Sequence, residues 1–244
     1  MSLAGKVALV VGATGNTGRA VALDLAGQGA KLAVVARGQE RLNDVGNISP
    51  TDCFCCPADL MIAGEPERVV KDVAGVVGMP DIVVHVLGGS AGIREPLAPS
   101  AEWARVWHLN LGIAHEINRA VLPAMVERGW GRIVHFSSNG VKLAIGNAPY
   151  TAAKAAVEGY VRTMSKEFSA RGVVITAVSP GPIFTEGRFL YSQGEEWTKD
   201  FKEHYLPMKR WGTGSELARV VGFLCSEGAS YMAGAVVDVD GGMR

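Results

Sequence analysis

The chain has 244 residues, 48% of them hydrophobic and 20% charged, with Lys plus Arg equal to Asp plus Glu at 24 each. That length can build a sizeable core, and the composition excludes a disordered chain. The balanced charge gives no pull toward nucleic acid or an anionic membrane, and no run approaches the ~18 apolar residues of a membrane span.

The first apolar run, in MSLAGKVALVVGATG, is short and breaks at glycine, which does not make a secretory leader; the expected location is the cytoplasm. Residues 6–12 (KVALVVG) read as a first strand, and 16–29 (NTGRAVALDLAGQG) as a helix that closes on glycine. Between them, VVGATGNTGRA spaces Gly12, Gly15 and Gly18 three apart. Glycines there allow a tight turn and let a pyrophosphate approach the exposed amides and positive dipole of the helix N-terminus. Placed after a first strand and before a helix, the pattern points to a nucleotide site. A P-loop would need Gly-Lys-Ser/Thr, and Arg19 follows Gly18 instead.

The second strand, 31–37, ends in VVARGQ. A carboxylate at that edge would bind the ribose 2′-OH of NAD, whereas arginine suits the 2′-phosphate of NADP. Ala36 and Arg37, with no acid before Glu40, favour NADP(H) over NAD(H). The third strand, 52–60, holds Cys53, Cys55 and Cys56 in CFCC; with Cys225 they offer no paired C-x-x-C set for zinc and read as small, reduced apolar residues.

A helix over 64–78 leads to a fourth strand at 81–88 (DIVVHVLG), and a long helix covers about 100–129. The fifth strand, 131–138 (GRIVHFSS), brings Ser137 and Ser138 out at a carboxyl edge, where open α/β sheets bind ligands. The helix 148–170 then sets Tyr150 and Lys154 at i and i+4, an ammonium beside a phenol. A free tyrosine titrates near ~10, so acid–base work near neutrality needs a shift of about three units, or roughly 4 kcal/mol. One cation ~4 Å away at an effective dielectric of ~20 is worth about that much. A serine hydroxyl at the strand end would hold the substrate oxygen.

The sixth strand is 173–181 (VVITAVSPG), followed by a less regular helix over 188–206, a helix over 210–228 and a seventh strand at 235–242. All seven runs are continuously apolar rather than alternating, as in a parallel sheet covered on both faces. With no linker or repeat, the fold class is α/β: a single-domain Rossmann-type doubly wound parallel sheet of about seven strands with helices on both faces, spanning 1–244. The five histidines form no H-E-x-x-H pattern, so no metal is expected, and packing explains His85 and His135. FSSNG is not the G-x-S-x-G of a serine hydrolase, and the NIS at Asn47 would go unglycosylated in the cytoplasm.

These motifs together resemble the short-chain dehydrogenase/reductase family, in its short single-domain branch, along essentially the whole chain. GATGNTG resembles the family's cofactor turn and implies contacts from Gly12, Thr14, Gly15, Asn16, Thr17 and Gly18. ADL places Asp59 and Leu60 at the adenine, and HVLG places Leu87 and Gly88 beside the cofactor. SPGPIFT resembles the segment on the nicotinamide side and implies Pro180, Gly181, Ile183 and Thr185. NLGIAHEINRAVLPAM puts Asn110 at the family's active-site asparagine, YTAAK supplies Tyr150 and Lys154, and AGAVVDVDGG resembles the final strand.

The resemblance implies that Tyr150 exchanges the proton on the substrate oxygen and that Lys154 binds the nicotinamide ribose and lowers the Tyr150 pKa. It implies that the serine orients the carbonyl and that Asn110 holds a water linking Lys154 to solvent. Counting back from Tyr150 selects Ser137; counting along the strand from Gly131 selects Ser138. Loops absorb length changes better than strands, so Ser138 is chosen. Two departures stand out: Asn16 occupies a position where the family usually has glycine, and HVLG replaces the family's NNAG.

Segment 186–206 falls where the family has a substrate lid, and Phe189, Tyr191, Trp197 and Phe201 could line an apolar pocket there. The small residues Ala152, Ala153, Ala155, Ala156 and Gly159 fit the helix pairing of a homodimer or homotetramer that the resemblance implies. The expected activity is NADP-dependent hydride transfer to or from a small-molecule ketone, aldehyde or secondary alcohol. The alternatives are an NAD-linked alcohol dehydrogenase and a cofactor-binding regulatory protein without turnover.

Overall fold

The computed structural model describes residues 2–184 and 194–243. Seven parallel strands form one sheet: β1 (Val7–Val11), β2 (Lys31–Ala36), β3 (Cys53–Pro57), β4 (Ile82–His85), β5 (Gly131–Phe136), β6 (Val173–Pro180) and β7 (Val236–Val239). Their order is β3-β2-β1-β4-β5-β6-β7. Beyond β1 the chain turns one way toward β2 and the other toward β4, and the reversal opens a crevice at the carboxyl edge.

Burial on both faces explains the unbroken apolar runs. In β1, Ala8 and Val10 point into one core with Leu25, Leu32 and Leu217, while Leu9 and Val11 point into the other with Val83, Ile117 and Ile133. The first core lies under α1 (Asn16–Gly27) and α9 (Gly214–Leu224), which pack together. The second lies under α3 (Glu65–Val76), α5 (Ile113–Glu127) and α7 (Ala148–Phe168).

Several elements differ from the sequence expectation, among them the fourth and seventh strands, which end at His85 and Val239 and not at 88 and 242. Residues 39–47 form a helix, α2 (Gln39–Asn47), seated on Leu42 and Val45. Its Gly46, Asn43, Asp44 and Asn47 are weak helix formers, and two buried positions make too short a periodicity to read. The long helix expected over 100–129 is α4 (Ser100–Trp107), a π-helical turn (His108–Gly112) and α5. A π turn widens the hydrogen-bond ladder, and the Asn110 side chain fills it by donating to the Val106 carbonyl at 2.8 Å. The third strand ends at Pro57 and not at 60, because Asp59 turns the chain by accepting from the Met61 amide at 3.1 Å. A short turn, α6 (Gly140–Leu143), and α8 (Glu195–Tyr205) complete the helices.

Two glycines fix how closely α1 approaches the sheet. A Cβ on Gly18 would lie 2.2 Å from the Gly12 carbonyl oxygen, and one on Gly12, whose φ is +89°, would lie 2.8 Å from the Leu87 amide nitrogen. At the far end of the same helix, a Cβ on Gly27 meets nothing within 4 Å. Gly18→Ala is therefore expected to lower the unfolding free energy by about 1–3 kcal/mol, and Gly27→Ala to leave it unchanged or raise it by up to about 1 kcal/mol. Urea unfolding midpoints check the contrast; equal effects at the two positions would refute it.

Candidate active site

The glycine turn is stitched between its neighbours. Gly12 and Ala13 donate to the Val35 carbonyl at 2.9 and 3.3 Å, and Val86 and Leu87 donate to the Val11 carbonyl at 3.0 and 2.9 Å. Gly15 caps α1 in extended backbone with no side-chain hydrogen bond. The first-turn amides, those of Asn16, Thr17 and Gly18, thus stand at the positive end of the dipole with no capping side chain among them. That cradle, closed by two positions where a Cβ would collide, fits a dinucleotide pyrophosphate. The Thr14 carbonyl accepts from Arg41 Nη2 at 2.7 Å, and Asn16 Nδ2 donates to the Phe184 carbonyl.

Other residues singled out in the sequence border the same edge. Arg37 is exposed at the end of β2 and makes no hydrogen bond or ion pair among the described residues. Leu60 is buried beside Asp59 after β3. Gly181, following Pro180, donates to the Val239 carbonyl at 3.0 Å, and Ile183 bridges to Gly212. Thr185, Phe189 and Tyr191 lie outside the described residues. Trp197 and Phe201 stack on α8 with ring centroids 5.1 Å apart, and Phe201 also stacks on Tyr205 and Trp211.

Lys154, Asn110 and Gly88 converge. The Lys154 side chain is 3% exposed, and Nζ donates to the Phe136 carbonyl at 2.7 Å. Burial pushes this ammonium down to about 8. Asn110 Nδ2 donates to the Gly89 carbonyl at 2.7 Å while its Oδ1 accepts from the Gly89 amide at 3.0 Å. A Cβ on Gly88 would lie 2.6 Å from Asn110 Oδ1 and 2.8 Å from Lys154 Nζ, so only glycine lets these two groups close on one point. Tyr150 is in the first turn of α7; its amide donates to the Asn147 cap at 3.1 Å, and its ring centroid is 5.7 Å from Lys154 Nζ.

The two serines face different surroundings. Ser137 is buried, and its Oγ donates to Glu158 Oε1 at 2.8 Å, on the α7 side of the sheet; Glu158 also pairs with Arg162. Ser138 is half-buried at the strand end, and its Oγ accepts from the Gly140 amide at 3.2 Å. Glu158 was invisible as a partner in sequence, since nothing in the spacing of 137 and 158 distinguishes a buried glutamate from a surface one.

Below Lys154 lies a buried polar group. His85 and His135 face each other across β4 and β5 with rings stacked at 4.6 Å. Asn118 ties them together, its Oδ1 2.8 Å from His85 Nε2 and its Nδ2 3.2 Å from His135 Nε2; the same amide donates to the Tyr160 hydroxyl at 3.2 Å. The amide oxygen needs a proton on His85 Nε2 and the amide nitrogen needs a bare His135 Nε2, so His135 is the neutral Nδ1–H tautomer. Burial pushes His85 down to about 4, against its Asn118 bond and helped by the Lys154 charge, and burial with the His85 and Lys154 charges holds His135 well below its usual value. The histidines pack in the strands as expected, but the network through Asn118 was not read, because a helix asparagine gives no sign of facing inward.

Because both histidines bind protons less readily folded than unfolded, acid favours unfolding. Their contribution is present above about 6.5 and is lost as pH falls toward 4. The urea midpoint should therefore drop between pH 7 and pH 5, and His85→Asn should flatten that drop. An unchanged slope in the variant would contradict the assignment of a buried neutral His85.

Comparison with known proteins follows the same outline. A family model described as enoyl-(acyl carrier protein) reductase matches residues 12–244. The chain is 34% identical over 249 residues to a 3-oxoacyl-[acyl-carrier-protein] reductase of Pseudomonas aeruginosa, covering 100% of this chain and 99% of that protein. It is 28% identical over 244 residues to an acetoacetyl-CoA reductase of Allochromatium vinosum, covering 98% of each. Among solved structures, L-sorbose reductase from Gluconobacter frateurii, complexed with NADPH and L-sorbose, superposes with a TM-score of 0.91 at 28% identity, covering 100% of this chain and 98% of that one.

Proposed function

This chain belongs to the short-chain dehydrogenase/reductase family, and from that premise we propose that it reduces a ketone with NADPH, using Tyr150 as the proton donor. It is an NAD(P)-dependent oxidoreductase acting on carbonyl or alcohol groups by hydride transfer. The observation that carries the proposal is the convergence of Lys154 and Asn110 on Gly88, with Tyr150 one helical turn before the lysine.

The cofactor, when bound, supplies the hydride. The amides of Asn16, Thr17 and Gly18 would hold its pyrophosphate, Asp59 and Leu60 its adenine, and Leu87, Gly88, Pro180, Gly181 and Ile183 its nicotinamide side, with Thr185 following in the chain. Arg37, exposed at the end of β2 and without a partner among the described residues, would take the 2′-phosphate, and the sequence has no carboxylate there to select a free 2′-OH. Tyr150 gives its hydroxyl proton to the carbonyl oxygen as charge builds on it. Lys154, a cation held out of bulk water, stabilises the phenolate left behind. Ser138 donates a hydrogen bond to the same oxygen, and Asn110, which anchors the loop at Gly89, would hold a water linking Lys154 to solvent, the route by which the Tyr150 phenolate regains its proton after turnover.

Support for the substrate class comes from the relatives named as reductases of 3-oxoacyl thioesters and from the stacked rings of Trp197, Phe201, Tyr205 and Trp211, which suit a partly apolar ketone better than a sugar. The α8 region would serve as the lid. Ala152, Ala155 and Gly159 lie on the outward side of α7, and nothing is within 4 Å of a Cβ on Gly159, which fits helix pairing in a homodimer or homotetramer. The four unpaired cysteines fit a reducing, cytoplasmic compartment, and no described helix is long and apolar enough to cross a membrane.

Tyr150→Phe should cut the rate of NADPH oxidation with acetoacetyl-CoA at least about 100-fold while leaving NADPH affinity within about threefold. Preserved turnover would overturn the mechanism, and faster reduction of L-sorbose or of an enoyl thioester would overturn the substrate class. Ser138→Ala should lower kcat by about 100-fold, whereas Ser137→Ala, which loses the Glu158 bond, should lower stability by about 1–3 kcal/mol and change kcat little. In kcat against pH, activity should fall above about 8 as Lys154 loses its proton.

A further inference from the structure

The residues that follow β7, Asp240–Met243, touch three parts of the crevice. Gly241 and Gly242 take φ values of +69° and +83°, and the Gly242 amide donates to Asp240 Oδ1 at 2.9 Å, so the chain turns sharply there. A Cβ on Gly181 would lie 2.6 Å from the Asp240 Cα, which presses the segment against the nicotinamide side proposed above. A Cβ on Gly241 would lie 3.6 Å from the Met208 side chain and one on Gly242 3.5 Å from that of Pro207, just beyond α8. The turn brings Met243 to the third part, the serine loop. Met243 is 7% exposed, and its Sδ accepts from Asn139 Nδ2 at 3.3 Å.

Asn139 is buried and directly follows Ser138. Its amide donates to the Pro180 carbonyl at 3.1 Å, and its carbonyl accepts from the Lys142 and Leu143 amides, each at 3.1 Å. The Ser138 carbonyl closes the same turn by accepting from the Val141 amide at 3.1 Å. A Cβ on Gly140 would lie 2.7 Å from the Ile145 carbonyl oxygen, so the loop is tightly closed around the serine. A hydroxyl that stabilises developing charge must be held within about 0.5 Å of its productive place. A thioether accepts only weakly, so Met243 contributes mainly bulk against the loop, and the hydrogen bond sets the direction of the Asn139 side chain.

We propose that Met243 is a positioning residue for Ser138: seated against Asn139, it holds the serine loop where the Ser138 hydroxyl meets the substrate oxygen. The proposal rests on the Ser138 role above and adds to it a residue 104 positions along the chain from Asn139. Met243 exchanges no proton and touches no reactant; it acts through the geometry of the loop.

A contact that only steadies the fold would lower kcat, if at all, by the same factor whether or not the serine hydroxyl is present. A double-mutant cycle of Met243→Ala and Ser138→Ala separates the two roles, measured in the full chain on a ketone the wild type reduces, with NADPH affinity and the urea midpoint followed alongside. Met243→Ala should lower kcat about tenfold when Ser138 is present and less than about twofold in Ser138→Ala, with NADPH affinity within about twofold throughout. An unchanged kcat in Met243→Ala, or an equal loss in both backgrounds, would overturn the role of Met243. Should Met243→Ala fail to fold, Asn139→Ala removes the same hydrogen bond from its other side and enters the cycle with the same deciding outcomes. If Ser138→Ala lowers kcat and the loss in Met243→Ala is independent of it, the Ser138 reading stands and Met243 alone is excluded. If Ser138→Ala leaves kcat unchanged, both fall.

Discussion

The site depends on a cation kept away from water. Lys154 is on the buried face of α7 with its ammonium on the Phe136 carbonyl, and removing such a charge from solvent costs several kcal/mol that a single hydrogen bond does not offset. The same burial gives the charge its reach, because an interaction screened in water becomes strong in a protein interior. The surroundings are arranged so that no second charge competes. Burial keeps the two histidines below it neutral, and Glu158, a buried acid on the same helix, is occupied by Ser137 and Arg162. Lys154 is left as the local cation, facing Gly88 and the ring of Tyr150.

Sheet topology decides where that cation meets a ligand. The reversal of strand order at β1 and β4 opens the crevice, and the Gly12–Leu87 contact sets its width. The π turn places Asn110 against the loop after β4, and the Asn147 cap starts α7 so that Tyr150 falls in its first turn. Asn16 links the glycine turn to the backbone of Phe184, joining the nucleotide end of the crevice to the strand end on the other side. In the proposed mechanism, cofactor cradle and proton-transfer group are in this way attached to opposite flanks of one sheet, which would let the fold hold two reactants in register.

Much of this was legible in the residues. Seven apolar runs became seven parallel strands because burial on both faces leaves no alternation to misread, and the i, i+4 spacing of Tyr150 and Lys154 survives any error in helix boundaries. What escaped was set by long-range packing. The break at Asn110 follows from a side chain that replaces a backbone partner, and α2 is stabilised by Leu42 and Val45 against the sheet more than by its own propensity. Counting along the strand chose Ser138 over Ser137; the folded chain adds that Ser137 bonds a glutamate 21 residues away, a partner no spacing shows. The contact of Arg41 with Thr14 escaped for a similar reason, since only the folded chain brings α2 over the first turn.

The central claim is that the buried Lys154 charge powers proton transfer by Tyr150. It is tested most directly by measuring single-turnover NADPH oxidation in Lys154→Met on a ketone the wild type reduces, at saturating cofactor. Methionine fills much of the same space without charge, so the account predicts a fall of at least about 100-fold in the rate of the chemical step, with the fold intact. A rate within about tenfold of the wild type would show that the ammonium is not what drives the reaction.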